Sequence, residues 1–200
     1  MSRFPNLMSS FVVRRFLAAG LLALLLPVRA ATIAEQQFDD RIRLADTDLV
    51  LNGVGVRAVA WLKGYAAGLY LTARATTAEA VLATPGPKRV RMKMLVEVEA
   101  KEFVKAVDVG MRRNHTPAEQ AALADRVARF DQTINSLVKL KKGDVVDIDF
   151  LPGHGLQLTL NGAPRGDALP GEDLYAGVLK IFIGNRPVDT KLKAGLLGAS

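Results

Sequence analysis

The chain has 200 residues, with 27 basic and 20 acidic side chains, a formal net charge of +7 and no cysteine. Without cysteine the protein has neither a disulfide framework nor a cysteine nucleophile, so it relies on its hydrophobic core. The first 30 residues contain four arginines and no acid, which leaves 23 basic against 20 acidic side chains beyond them. Because the excess charge is concentrated at the N terminus, it does not indicate a nucleic-acid partner.

The N-terminal segment predicts a cleaved export signal over residues 1–30. Basic residues precede an apolar run from Phe16 to Leu26, and the small-residue motif Val28-Arg29-Ala30 follows. The run has about half of the ~20 residues that a spanning helix needs, so we expect no stable membrane insertion. The sequence thus predicts cleavage near Ala30, a periplasmic location and a single domain over residues 31–200. It leaves the general secretory and twin-arginine routes open.

The segment from Leu49 to Leu71 is β-rich and almost free of charge. Up to Leu62 its one ionisable side chain is Arg57, and apolar or small residues occupy both alternating faces. Such a strand is typically covered on both sides, where an unpaired guanidinium is costly to desolvate. Arg57 therefore needs a ligand anion or an acid of the chain such as Asp48, unless it lies at a strand end and reaches water.

Two dipeptides in this segment, Asn52-Gly53 and Lys63-Gly64, are candidate hairpin turns or bulges. A plain two-residue turn at Lys63-Gly64 would place Arg57 and Tyr65 on opposite faces of the sheet. A bulge, or a turn placed earlier at residues 58–60, would instead bring both side chains to the same face. The pattern alone leaves these two arrangements open.

The rest of the chain alternates predicted strands and helices. The patterns predict a helix near residues 77–83, a strand over 88–98, helices over 100–113 and 116–140, a hairpin over 145–160, and helices over 171–183 and 189–197. Charged side chains on the strands are expected to face solvent: Arg89, Arg91 and Lys93, and then Asp147 and Asp149. This order predicts an α+β fold, an open-faced sandwich with helices on one face of a mostly antiparallel sheet.

Few residues outside the Arg57 segment suggest chemistry. His115 precedes a helix cap and His154 lies in a glycine-flanked turn, and neither has an acid beside it at catalytic spacing. The sequence contains no metal-ligand cluster, no phosphate-binding glycine loop and no Ser-His-Asp motif in recognisable context. It therefore predicts neither a metal nor a cofactor, and Arg57 with the nearby tyrosines remains the candidate site.

An ordered set of motifs carries a resemblance to a known family. The motifs are Leu51-Asn52-Gly53-Val54-Gly55-Val56-Arg57, Lys63-Gly64-Tyr65, Gly86-Pro87-Lys88-Arg89-Val90, Lys101-Glu102-Phe103, Lys142-Gly143-Asp144-Val145, Asn161-Gly162 and Pro187-Val188-Asp189. Over roughly residues 32–198 the chain resembles the chalcone isomerase-like superfamily, in particular its bacterial exported branch. The resemblance implies a cleft between the sheet and the helices.

For the enzymes of that superfamily, the resemblance implies an arginine, a threonine and a tyrosine around the reacting group, and two polar residues that place the far ring. Arg57 retains the arginine. The residues at the other four positions are Tyr65, Phe103, Gly110 and Ile181. Loss of the tyrosine hydroxyl at Phe103 and of the ring-placing polar groups at Gly110 and Ile181 argues against efficient chalcone cyclisation. An arginine with a tyrosine is instead similar to the non-catalytic fatty-acid-binding members.

The leading hypothesis is an exported, non-catalytic protein that binds a fatty acid or another amphipathic carboxylate through Arg57, Tyr65 and Phe103. One alternative is an isomerase or intramolecular lyase of the chalcone isomerase type that acts on another substrate, with Arg57 as its catalytic residue. A second alternative is a structural or partner-binding periplasmic protein without a small ligand. The sequence identifies neither the ligand nor the oligomeric state.

Overall fold

The structure, a computed structural model, describes residues 30–59 and 62–199. The predicted export signal lies outside this range except for Ala30, and Ala60 and Trp61 fall between the two described parts. Within the described residues, no helix is both long enough and apolar enough to cross a membrane.

The described residues form eleven strands and five helices. The strands are β1 Ala30–Ile33, β2 Gln36–Asp39, β3 Arg41–Leu44, β4 Thr47–Val59, β5 Leu62–Leu71, β6 Lys88–Met94, β7 Val98–Glu99, β8 Lys139–Leu140, β9 Val145–Leu151, β10 Gly155–Leu160 and β11 Ala163–Leu169. The helices are α1 Ala78–Ala83, α2 Ala100–Asn114, α3 Pro117–Asn135, α4 Glu172–Ile183 and α5 Thr190–Leu196. Seven strands make one antiparallel sheet in the order β11-β10-β9-β6-β5-β4-β3, and the helices pack on it. The predicted α+β fold class is therefore confirmed.

The main hydrophobic core lies between one face of this sheet and the helices. Leu69 and Val90 from the sheet belong to the same buried cluster as Phe130 of α3 and Val178 of α4. Fully burying a side chain of this kind contributes about 1.5 to 3 kcal/mol. The cluster therefore fixes the helices over the sheet, and the candidate site lies within it.

Helix α5 packs directly against the backbone of β4. A Cβ atom at Gly53 or Gly55 would collide with the backbone of α5, so these glycines permit the close approach. Between them and Leu51 the strand bulges at Asn52. The buried Asn52 side chain donates to the Leu196 carbonyl oxygen at 2.7 Å, which ties the end of α5 to the bulge. The Asn52-Gly53 dipeptide is thus a bulge and not a turn.

The face of the sheet away from the main core is not the solvated surface that the sequence predicts. Asp147 and Asp149 were expected in water, yet both are 2% exposed. Arg91 donates to Asp147 and Arg89 donates to Asp149, each through two nitrogens at 2.6 to 2.8 Å. The expectation was wrong because these acids and bases come from distant parts of the chain and cover each other on adjacent strands.

The β1–β2 hairpin covers a second part of that face. Phe38 is buried there with Leu51 and Tyr70. Lys93 donates to the Gln37 carbonyl oxygen at 2.6 Å and lies over the Phe38 ring. Strand β4 is therefore covered on both sides, by this hairpin and by α5, as its apolar sequence predicts.

Helix α3 ends earlier than its apolar pattern predicts. The pattern continues to Leu140, but the helix stops at Asn135. Val138 adopts φ +62°, which interrupts the helix, and Leu140 then pairs with Val98 in the short β7–β8 ladder. Val138 is consequently 69% exposed, while Leu140 is buried. The strand predicted over residues 88–98 forms two separate strands. β6 ends at Met94, and Val98 belongs to β7.

Candidate ligand-binding site

The β4–β5 hairpin brings Arg57 and Tyr65 to one face of the sheet. The two residues are direct cross-strand partners, and the register shifts between Arg57 and Ala58. Directly opposed residues of an antiparallel pair point to the same side. Lys63 and Gly64 lie inside β5, so the connection between the strands falls before them. The bulged arrangement therefore forms, and the alternative of a plain two-residue turn at Lys63-Gly64 does not.

A cavity of about 200 Å³ lies between the sheet and helices α2, α3 and α4. Arg57, Tyr65 and Phe103 all line it. The Tyr65 and Phe103 rings stack, with their centroids 6.0 Å apart. Arg57 and Glu102 are the charged side chains among its lining residues, and most of the others are aliphatic or aromatic. The structure therefore brings all three predicted site residues to one apolar cavity.

The cavity extends across the sheet. Its lining runs from Arg57 on β4 to Leu158 on β10, four strands away in the sheet. At ~4.8 Å between strands, these four steps correspond to about 19 Å across the sheet. The Arg57 side chain is 24% exposed, whereas Phe130 and Leu158 are buried. The lining thus includes a partly exposed arginine and a buried apolar region.

The guanidinium of Arg57 meets an acid of the chain, but not Asp48. Its Nη1 atom donates to the Ala58 carbonyl oxygen and lies 3.5 Å from Oδ2 of Asp189. Asp48 pairs with Arg43 instead. Of the alternatives that the sequence left open, the structure provides an acid of the chain, and it is Asp189 instead of Asp48 because α5 packs on β4.

Asp189 caps the N terminus of α5 with its other oxygen. Oδ1 accepts from the N–H groups of Lys191 at 2.8 Å and Leu192 at 3.0 Å, and Oδ2 accepts from the Ala58 N–H at 3.4 Å. Burial acts to raise the pKa of Asp189, but these hydrogen bonds and the Arg57 charge outweigh burial and lower it. The carboxylate therefore stays ionised at neutral pH.

Tyr65 supplies a neutral hydroxyl beside Arg57. Burial raises the pKa of Tyr65 far more than the Arg57 charge lowers it, so the phenol remains protonated. Its hydroxyl takes part in none of the hydrogen bonds found among the described residues. Tyr65 can therefore donate to a ligand oxygen at any physiological pH.

Gly110 and Ile181 contact each other. They occupy the two positions where the resemblance implies polar residues that place the far ring of the substrate in the enzymes. A Cβ atom at Gly110 would collide with the side chain of Ile181. Ile181 thus occupies the space of the missing side chain, and neither residue offers a hydrogen-bond donor. Phe103 offers an apolar ring where the resemblance implies a tyrosine.

Comparisons with known proteins place the chain in a family. A model of the chalcone isomerase-like family matches residues 30–198, so the chain belongs to that family. A solved structure of similar fold is the fatty-acid binding protein AtFAP1 of Arabidopsis thaliana, with a TM-score of 0.61 and 16% identity over 84% of this chain and 96% of that chain. At this identity the likeness shows the fold alone. A search of curated proteins finds no match to this sequence.

Sequence reasoning missed the positions of two acids. Asp189 was predicted to begin the last helix and belongs to a family motif, but its contact with Arg57 was not predicted. Glu102 immediately precedes Phe103, and it lines the cavity while pairing with Lys105 at 2.8 Å. No local signal in the sequence indicates the contact between Asp189 and Arg57.

Proposed function

We propose that this protein is a non-catalytic binder of a fatty acid or another amphipathic carboxylate, held in the cavity between the sheet and the helices. The observation that carries this proposal is a largely apolar cavity among whose lining residues Arg57 is the one basic side chain, beside the protonated phenol of Tyr65. A guanidinium and an O–H group both donate to a carboxylate, and apolar walls accept a hydrocarbon tail.

Arg57 keeps donors for such a ligand. A guanidinium has five N–H donors, and the contacts of Arg57 with Ala58 and Asp189 both involve Nη1. The similar fold of a fatty-acid binding protein supports the same ligand class. The family membership and the cavity together favour a small-ligand binder over the alternative of a purely structural protein, whose sheet and helices would meet without a cavity.

The cavity volume favours a short or medium-length tail. At about 200 Å³ it is slightly larger than the ~150 Å³ cavity that accommodates benzene in an engineered protein. We expect decanoate to bind more tightly than palmitate, because a longer tail must remain outside or displace the helices.

An isomerase is the second candidate function. Of the residues that the resemblance implies for the enzymes, Arg57 alone is retained, and neither Gly110 nor Ile181 offers a polar anchor for a second ring. Purified protein should therefore not accelerate cyclisation of a hydroxychalcone above the buffer rate. Turnover that disappears in Arg57→Ala would favour the isomerase instead.

Export to the periplasm is a further part of the proposal, and the N-terminal charge and apolar pattern support it. We expect the mature chain to begin at Ala31. N-terminal sequencing of protein from its own cells tests this expectation. A chain that retains Phe16–Leu26 in the membrane fraction would contradict it.

A substitution that fills the cavity tests whether the ligand binds there. Ala106 of α2 lines the cavity, so Ala106→Trp should occupy the tail site and reduce decanoate binding at least tenfold in a titration calorimeter. Ala121 lies exposed on α3, and Ala121→Trp makes the same substitution away from the cavity. Equal binding by both folded variants would place the ligand elsewhere and overturn the proposal.

A further inference from the structure

Arg57 lines the cavity, and its guanidinium is paired with Asp189, a carboxylate that is not itself among the lining residues. Oδ2 of Asp189 lies 3.5 Å from Nη1 of Arg57, and the side chains of Asp189 and Arg57 are 14% and 24% exposed. Opposite charges at this separation attract strongly where water is partly excluded. Arg57 therefore already has a fixed counter-ion within the chain.

We infer that Asp189 is a specificity-determining residue of this site, which weakens the binding of ligand carboxylates relative to uncharged head groups. The inference rests on the proposed function. A ligand carboxylate that contacts Arg57 also comes close to Asp189, and two carboxylates near one guanidinium repel each other. A ligand with an uncharged hydroxyl head avoids this repulsion and still finds the Arg57 and Tyr65 donors.

The position of Asp189 does not depend on the ligand. Its Oδ1 is fixed by the first N–H groups of α5, and its Oδ2 receives the Ala58 N–H beside the β4 bulge. The acid thus links the end of α5, the bulge and the guanidinium. It cannot rotate away from an incoming carboxylate without giving up the helix cap.

Asparagine separates the charge of Asp189 from its capping role. Asn caps helices about as well as Asp, because its carbonyl oxygen accepts the same N–H groups. Asp189→Asn therefore keeps the Oδ1 contacts with Lys191 and Leu192 and removes the negative charge. Its NH2 group takes the place of Oδ2 and cannot accept from the Ala58 N–H or from Arg57. These two contacts are long, at 3.4 and 3.5 Å, and Arg57 is partly exposed, so we expect their loss to change the fold little.

The experiment compares decanoate with decanol, which has the same tail and an uncharged head. Titration calorimetry of the full mature chain is run for the wild type, Asp189→Asn and Asp189→Ala, and the melting temperature is recorded for each. We expect Asp189→Asn to raise decanoate affinity about tenfold, to leave decanol affinity within about twofold and to keep the melting temperature. Asp189→Ala also loses the cap, so its melting temperature falls.

Asp48→Asn is the matched control. Asp48 also lies 3.5 Å from an arginine, Arg43, but it is exposed and does not line the cavity, so loss of its charge should change decanoate affinity less than twofold. Unchanged decanoate affinity in a stable Asp189→Asn protein would overturn the inference and leave the proposed function intact. An equal gain for decanoate and decanol would also overturn it, because the effect would then not depend on charge. Failure of the wild type to bind either compound would overturn the proposed function and this inference together.

Discussion

Arginines on the two faces of the sheet differ in how completely the protein satisfies them. On the face away from the main core, Arg89 and Arg91 each donate through two nitrogens to a buried aspartate. On the cavity face, Arg57 has one carbonyl contact and an acid at 3.5 Å. The first two guanidiniums are committed to holding strands together. The Arg57 guanidinium retains donors beside a cavity, which is what a ligand site requires.

The contrast follows from hydrogen-bond geometry. A bidentate arginine–carboxylate pair uses the planar fork of the guanidinium on both carboxylate oxygens, so little capacity remains for another anion. Asp149 and Asp147 meet this condition across β6 and β9. Asp189 divides its two oxygens between a helix cap, a bulge and Arg57, and so binds Arg57 through one oxygen only.

The largest expected effect lies on the face away from the cavity. Asp149→Ala leaves the Arg89 guanidinium partly buried without its principal partner and should lower the free energy of unfolding by about 3 to 5 kcal/mol. Urea denaturation measures this loss. The same substitution at Asp167, which is exposed on β11, should change stability by less than about 0.5 kcal/mol. Equal losses in the two variants would show that the Arg89 pair contributes little.

The next effect concerns binding rather than stability. Arg57→Ala should weaken decanoate binding by about one to two orders of magnitude, because a charge-assisted contact contributes roughly 1.5 to 3 kcal/mol. Displacement of a fluorescent fatty acid measures the change, and decanol provides the uncharged control. Decanoate affinity that is unchanged in folded Arg57→Ala would make Arg57 an ordinary structural residue.

A smaller effect on binding is expected from Tyr65→Phe. The substitution removes one neutral donor and keeps the ring that stacks on Phe103, so decanoate affinity should fall by about fivefold, or ~1 kcal/mol. The same displacement assay applies. A larger loss of affinity than in Arg57→Ala would show that the phenol of Tyr65, and not the guanidinium, makes the main contact with the head group.

The smallest expected effect is on stability, and it concerns an acidic side chain that pairs with no arginine among the described residues. Asp131 of α3 has a buried Oδ1 with no hydrogen-bond partner among the described residues. Burial, and then the nearby charge of Asp108, raise the pKa of Asp131 to about 6. The folded pKa exceeds the unfolded pKa, so the stability linked to this group is full below pH ~4 and is lost as pH rises through ~6.

Asp131→Asn should therefore raise the free energy of unfolding at pH 7.5 by about 0.5 to 1 kcal/mol, after allowance for the partial exposure of the group. The gain should disappear near pH 4, where the wild-type carboxyl is protonated. Chemical denaturation at the two pH values measures both. A gain of the same size at pH 4 would assign the effect to packing and not to ionisation.

Local patterns were sufficient for most of the fold. The capping box of Thr116 and Glu119 starts α3 where the sequence predicts a helix to begin, and Asn161-Gly162 forms the turn between β10 and β11 with φ of +53° and +79°. Each feature depends on residues within a few positions of one another. The alternation of strands also identified the apolar face that became the core.

Features that depend on distant parts of the chain could not be predicted in this way. The pairing of Asp149 with Arg89, the cover that Phe38 provides and the approach of Asp189 to Arg57 all join segments far apart in sequence. Arg57 itself could be identified because a lone charge in an apolar strand needs a partner. Which partner it meets required the packing of α5 on β4.

The central claim is that a ligand carboxylate binds at Arg57 with its tail in the apolar cavity. A crystal structure with 10-bromodecanoate tests it directly, because anomalous scattering locates the bromine. The account predicts the carboxylate about 2.7 to 3.0 Å from the Arg57 guanidinium and the Tyr65 hydroxyl, with the bromine near Phe130 and Leu158. A carboxylate away from Arg57, or a bromine peak outside the cavity, would contradict it.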